Sequence, residues 1–186
     1  VVISFILLLS VYAVAQKLVK VGDGYSCTSV NTTIFRNNSI VTHNNHQYIS
    51  YYDAQGWLTI GKRKLGSQKW EISRSQYRGK VSDAHNVISM MVDGKGYLHI
   101  SFDHHGDKLN YCRSIEPESL ILGDKEEMIG NNENDVTYPE FYKLPCGDLL
   151  FAYRSGASGR GNLVLNRYNL KQKKWSRVQD VLIDGE

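Results

Sequence analysis

Apolar and polar positions alternate in short runs along most of this chain, and no stretch keeps a 3.6-residue apolar period for more than two turns. The clearest pair of runs is Asn86 to Val92 and Tyr97 to Phe102, separated by Asp93-Gly94-Lys95-Gly96. Asp-Gly between two alternating runs predicts a β-hairpin. Gln47 to Asp53, Gly96 to Asp103 and Gly147 to Arg154 align as equivalent strands, their ends spaced by about fifty residues. Each is preceded by a strand and a turn, and each is followed by another strand: Trp57 to Lys62, Leu109 to Ser114, Leu163 to Tyr168. Two of the units close on a tryptophan, Trp70 and Trp175. Ile115 to Asn134 is acidic and Asn-rich, and predicts an outer strand followed by a connecting loop. Several short strands per unit of this length predict an all-β fold, and among all-β folds a β-propeller. The expected blades span residues 37–80, 83–130 and 136–180 of one partial domain, 16–186, each four-stranded. A propeller closes a ring of roughly four to eight blades, so about three blades mark a fragment. The alternative is a β-sandwich with accidental internal similarity.

The first sixteen residues, Val1 to Gln16, are an apolar run too short to span a bilayer comfortably, and Ala13-Val14-Ala15 offers a small-residue cleavage site. Residues 1–15 are therefore expected to be a signal peptide that lacks its true start, and the mature protein is expected to be extracellular. Two glycosylation triplets, Asn31-Thr32-Thr33 and Asn37-Asn38-Ser39, fit that compartment. Cys27, Cys112 and Cys146 leave one thiol over, in no assignable pairing, and no two have zinc-finger spacing. No metal ligand is expected in this chain. The net charge of +3 gives no case for nucleic acid; it suits an acidic polysaccharide, and no membrane partner is expected once the signal is removed.

Histidines bracket the central hairpin: His85 enters its first strand, and His104 and His105 leave its second. An antiparallel hairpin sets the start of one strand beside the end of the next, so these imidazoles can meet at one edge. The third unit contributes Thr137-Tyr138-Pro139-Glu140-Phe141 and Tyr153-Arg154-Ser155-Gly156-Ala157-Ser158-Gly159-Arg160. Equivalent positions of neighbouring units place His85, His105, Tyr138 and Arg154 in one patch. That set suits removal of the proton α to a uronate carboxylate. Arg neutralises the carboxylate, a His or Tyr takes the C5 proton, and one of them protonates the leaving oxygen at C4. His85, Tyr138 and Arg154 are the expected catalytic residues; His104, His105, Tyr153 and Arg160 are the expected substrate contacts. No nucleotide loop, Ser-His-Asp elbow or glycosidase-like pair of carboxylates competes with this chemistry.

The motifs His85-Asn86-x-Ile88-Ser89, Leu98-His99-Ile100-Ser101-Phe102-Asp103-His104-His105, Thr137-Tyr138-Pro139 and Asp148-Leu149-Leu150-Phe151-x-Tyr153-Arg154-x-Gly156-x-Ser158-Gly159 resemble the BNR-repeat (BNR-4) family, which includes the ulvan lyases. The resemblance covers roughly Asn37 to Trp175 and implies a seven-bladed propeller that cleaves a sulfated, uronate-containing polysaccharide by β-elimination. It implies His85 as the base, Arg154 as the carboxylate neutraliser, His105 as a substrate contact and Tyr138 as a second acid or base. It implies no cofactor for catalysis, and leaves a structural zinc or calcium to the part of the ring outside this sequence. Glu140 departs from the pattern, standing where a basic residue is expected. The competing readings are a sialidase-like glycoside hydrolase, whose Asp-box is absent here, and a non-catalytic carbohydrate-binding propeller.

Overall fold

Thirteen strands, in a computed structural model that describes residues 18–32 and 39–185, follow the alternation of the sequence closely. The apolar segment 1–15 and the triplet at Asn37 lie outside the described residues. The strands are β1 (Ile40–His43), β2 (His46–Tyr52), β3 (Trp57–Lys64), β4 (Glu71–Arg78), β5 (Ile88–Val92), β6 (Leu98–Phe102), β7 (His105–Asp107), β8 (Tyr111–Ser114), β9 (Leu122–Lys125), β10 (Val136–Lys143), β11 (Leu149–Ala157), β12 (Arg160–Asn169) and β13 (Lys174–Ile183). They form three antiparallel sheets, ordered β1-β2-β3-β4, β5-β6-β8-β9 and β13-β12-β11-β10-β7. Among the described residues there is no helix, and so none long and apolar enough to cross a membrane. The three aligned segments of the sequence are β2, β6 and β11, an inner strand of each sheet. The acidic Ile115–Asn134 stretch supplies the short outer strand β9 and irregular chain on either side of it.

The central hairpin pairs Ile88 with Phe102 through Val92 with Leu98. Its turn is closed by Asp93, whose Oδ1 accepts the backbone N–H groups of Lys95 (2.8 Å) and Tyr97 (3.0 Å). Gly96 supplies the positive φ (91°) that the turn requires.

β5 and β6 of the middle sheet are buried on both faces, so that the polar positions of their alternation, Ser89, His99 and Ser101, are buried as well. Met90, Leu98, Ile100 and Phe102 pack with Tyr48, Tyr52, Leu58 and Ile60 of the first sheet. A second core joins Tyr111 to Phe141, Phe151, Tyr153 and Val164 of the third. His99, one position out of phase with its apolar neighbours, points the other way into an aromatic nest of Tyr111, Phe141, Tyr168 and Trp175. It is fully buried, with Nδ1 2.7 Å from the Tyr111 hydroxyl and Nε2 3.3 Å from Asp93, and burial lowers its pKa. The sheets are also joined through backbone: Gly94 N–H donates to Gly147 O (2.9 Å), and the buried Ser89 hydroxyl accepts the Phe141 N–H (3.1 Å).

Cys112 is buried and Cys27 and Cys146 are exposed, all three as free thiols. Asn31 is exposed, but its side-chain amide is engaged, donating to Tyr52 O (2.8 Å) and Tyr25 O (3.0 Å). A glycan there replaces one of the two amide hydrogens and would have to break at least one of these contacts.

Candidate active site

One buried carboxylate brings the histidine-bearing segments together. Asp103, at the end of β6 with a positive φ of 63°, accepts the Lys80 N–H (2.6 Å) and the Asn86 side-chain amide (3.0 Å). The first bond anchors the connection from β4 to β5; the second anchors the residue after His85. Burial raises the Asp103 carboxyl pKa, and the two donors offset part of that cost. The reversal at Asp103 also decides which way the following two imidazoles point. His104 turns inward and is 1% exposed, while His105 opens β7 on the surface. The expectation that His104 contacts substrate is therefore corrected. Its Nε2 accepts the Asn110 N–H (2.7 Å), its Nδ1 has no partner, and burial drops its pKa to about 3.

His85 and His105 stack, with ring centroids 4.1 Å apart and planes inclined by 21°. Asp83 bridges them. Its Oδ1 lies 2.6 Å from Nδ1 of His85, and its Oδ2 lies 2.6 Å from Nδ1 of His105. The Asp83 carboxyl is held well below its ordinary range, first by the His85 backbone N–H (2.9 Å) and then by the two imidazoles. The three side chains offer one donor atom each within 4.8 Å of one another, a grouping that could hold a metal ion and that the sequence reading did not anticipate.

β7 leaves the middle sheet and pairs with β10 of the third, His105 opposite Thr137. On its other side β10 carries a bulge: Thr137 pairs with Arg154 and Glu140 with Ala152, so Tyr138 and Pro139 face the single residue Tyr153. Proline has no ladder donor to lose, and a bulge re-aims a side chain. Tyr138 sits at φ 58°, a strained value for an aromatic residue before proline. Its ring lies 6.2 Å from that of His85, and the Arg154 guanidinium carbon lies 5.1 Å from its centre. Arg154 Nη2 donates to the Thr137 hydroxyl (3.0 Å), which also accepts the Gly106 N–H (2.8 Å). Thr137 thus ties the guanidinium to the His105 segment.

His85, His105, Tyr138 and Arg154 do converge. Tyr153 does not belong with them. It is fully buried in the second core, packed on Phe151, and burial pushes its hydroxyl up to about 12. Period-2 alternation turns it inward while Arg154 turns out, and the assignment as a substrate contact is corrected. Arg160 is exposed at the tip of the β11–β12 hairpin and lines an open cleft of about 410 Å³ with Gly106, Asp135, Ser155 and Gly156, continuous in sequence with His105. Asp107 beside it is paired with Lys80 (2.6 Å), and Glu140 accepts from the Tyr142 hydroxyl (2.5 Å). The sequence reading missed Asp83, Asp103 and Thr137. The Asp-x-His spacing of Asp83 and His85 was the one signal available for the first, because a side-chain carboxylate readily caps the N–H two residues on.

A polysaccharide lyase of known structure, Uly1, superposes with a TM-score of 0.67 at 18% identity, over 90% of this chain and 44% of its own. A PL25 ulvan lyase bound to -[GlcA(1-4)Rha3S]- superposes with a TM-score of 0.64 at 19% identity, over 84% of this chain and 39% of its own. In sequence, the ulvan lyase of Nonlabens ulvanivorans is 25% identical over an alignment 138 residues long that covers 63% of this chain and 29% of that protein. The chain thus spans less than half the length of each of these relatives. The sequence pattern of the BNR repeat-containing family matches residues 46–186, three quarters of the chain, and the chain belongs to that family.

Proposed function

We propose that this chain forms three consecutive blades of a secreted β-propeller lyase, which cleaves a uronate-containing, sulfated polysaccharide of the ulvan kind by β-elimination. The observation that carries the reading is the convergence of a stacked imidazole pair, a phenol and a guanidinium at one end of the second and third sheets. The antiparallel sheets, two of four strands and one of five, packed face to face in chain order, support the propeller, as do the superposing lyases.

The chemistry follows from those groups. The C5 proton of a uronate is weakly acidic because its removal leaves two negative charges on one carboxylate-bearing carbon framework. Arg154, a permanent planar cation, offsets that charge with paired N–H donors. His85 takes the C5 proton, and the C–H electron pair becomes the C4–C5 double bond. The C4–O4 bond breaks, and Tyr138 delivers a proton to the departing oxygen. His105 and Arg160 hold neighbouring parts of the polyanion. No redox change or added water is needed, so the products are one unsaturated uronate end and one new reducing end.

The test is to incubate the full-length protein with ulvan and other uronate polysaccharides and follow the ultraviolet absorbance of the unsaturated product. His85→Ala and Arg154→Ala are each expected to lower kcat/KM by roughly a hundredfold or more, the usual range for a lost general base. New reducing ends without that absorbance would replace elimination with hydrolysis. Retained glycan binding with no product would leave a binding propeller.

A further inference from the structure

Two imidazoles in van der Waals contact share a single carboxylate, one oxygen each, and the lyase reading makes no use of that carboxylate. Asp83 stands two residues before His85, in a turn closed by the Asp83 N–H to Lys80 O (3.1 Å) and the Asn86 N–H to Asp83 O (3.2 Å). The His85 backbone N–H donates to Oδ1 as well, so the carboxylate cannot swing away without breaking three contacts.

An ionised carboxylate only accepts hydrogen bonds. Each Nδ1 at 2.6 Å must therefore carry the proton, and in the neutral ring the lone pair then sits on Nε2. We propose that Asp83 is a positioning residue serving both histidines: its two oxygens hold His85 and His105 as Nδ1–H tautomers, leaving Nε2 as the proton acceptor on each. The role rests on the lyase reading only for what the Nε2 atoms then do. The shared anion also explains how two rings can stack when one of them gains a proton. The new imidazolium lies against a negative charge rather than against its neighbour alone.

The chemistry of an amide makes the proposal sharp. In Asp83→Asn one side-chain atom accepts and the other donates. Only one imidazole can then keep its Nδ1–H; the other must present a bare Nδ1 and move its proton to Nε2, which removes it as an acceptor. Asparagine is nearly isosteric with aspartate, so the fold is expected to persist. Asp83→Ala removes both partners and serves as the second variant.

The experiment is nitrogen-15 NMR of histidine-labelled full-length protein, with kinetics on the same samples. In the unsubstituted protein both rings are expected as Nδ1–H tautomers. Asp83→Asn keeps its oxygen toward the His85 backbone N–H, so it is expected to convert His105 to the Nε2–H tautomer and to raise KM. Asp83→Ala, which releases both rings, is expected to lower kcat by roughly a hundredfold or more, as a wrong tautomer does in a hydrolytic triad. Unchanged tautomers in Asp83→Asn, or Nε2–H rings in the unsubstituted protein, would overturn the proposal. So would activity abolished by chelator and restored by zinc alone with both Nδ1 resonances shifted, since the trio would then be a metal centre. If no polysaccharide yields an unsaturated product while the tautomers behave as stated, the lyase reading falls and the positioning role stands.

Discussion

His104 is the clearest case of a residue whose chemistry is decided by the direction its side chain takes. Adjacent to the exposed His105, it is sealed in the interior with a pKa near 3 against an ordinary 6.5. As the pH falls below 6.5, the unfolded chain binds a proton that the folded chain refuses, so stability falls with pH down to about 3. The slope this one group contributes is about 1.4 kcal/mol per pH unit. Asp107 and Lys125 lie near enough to shift the lower limit in opposite directions. His104→Gln keeps an acceptor for the Asn110 N–H where Nε2 stood and removes the titration. We expect it to match the parent near pH 7 and to lose less stability on acidification, measured by urea denaturation from pH 7 to 4; equal slopes would refute the assignment. The doublet could not be resolved from sequence because either histidine fits a loop. What separates them is the positive φ of Asp103, and nothing in an aspartate codon demands that. Likewise Tyr153 and Arg154 are adjacent and both suit a site, and only strand alternation sends one inward.

At the level of elements, β2, β6 and β11 were legible because an inner strand packed between neighbours alternates, and the central hairpin because Asp-Gly fixes its turn. β7 was not legible. It is three residues long, carries no apolar pattern, and its partner is β10 of the next sheet rather than its neighbours in sequence. The bulge at Tyr138–Pro139 was half visible, since a proline inside an alternating run marks an irregularity without saying where the preceding side chain goes. The joint between hairpin turns was invisible, although two glycines compose it. A Cβ on Gly94 would come within 2.7 Å of the Gly147 Cα, which only a backbone shift could relieve. Gly94→Ala is therefore expected to lower stability by about 1–3 kcal/mol through overpacking, read as a lower Tm of the full-length protein. An unchanged Tm would mean the two turns are not in contact. Because the joint lies at the end of the sheets opposite the imidazoles, activity per folded molecule is expected to persist.

For the whole molecule the decisive feature is the far face of the third sheet. Phe151, Tyr153 and Val164 point toward the middle sheet, while Leu150, Ala152, Leu163 and Leu165 point away and are only partly covered. Val181 and Ile183 on β13, the latter paired with Leu163, are 42% and 61% exposed. An apolar sheet face of this extent is rare on a soluble monomer and marks an interface. In a propeller the occupant is the next blade, and the greater length of the superposing lyases leaves room for one. The reading has a direct consequence for residues 39–185 produced alone. Lacking a neighbour, the third sheet is expected to pair with another copy through its open face, so the segment should sediment as a mixture of oligomers. It should also bind a hydrophobic dye and melt without a sharp transition. The same residues within the full-length protein should give a monodisperse particle and a cooperative melt. A monomeric, dye-silent, cooperatively melting segment 39–185 would instead mean that three sheets complete the fold. The half-covered leucines would then be ordinary surface, and the site between the second and third sheets would have to work without a ring around it.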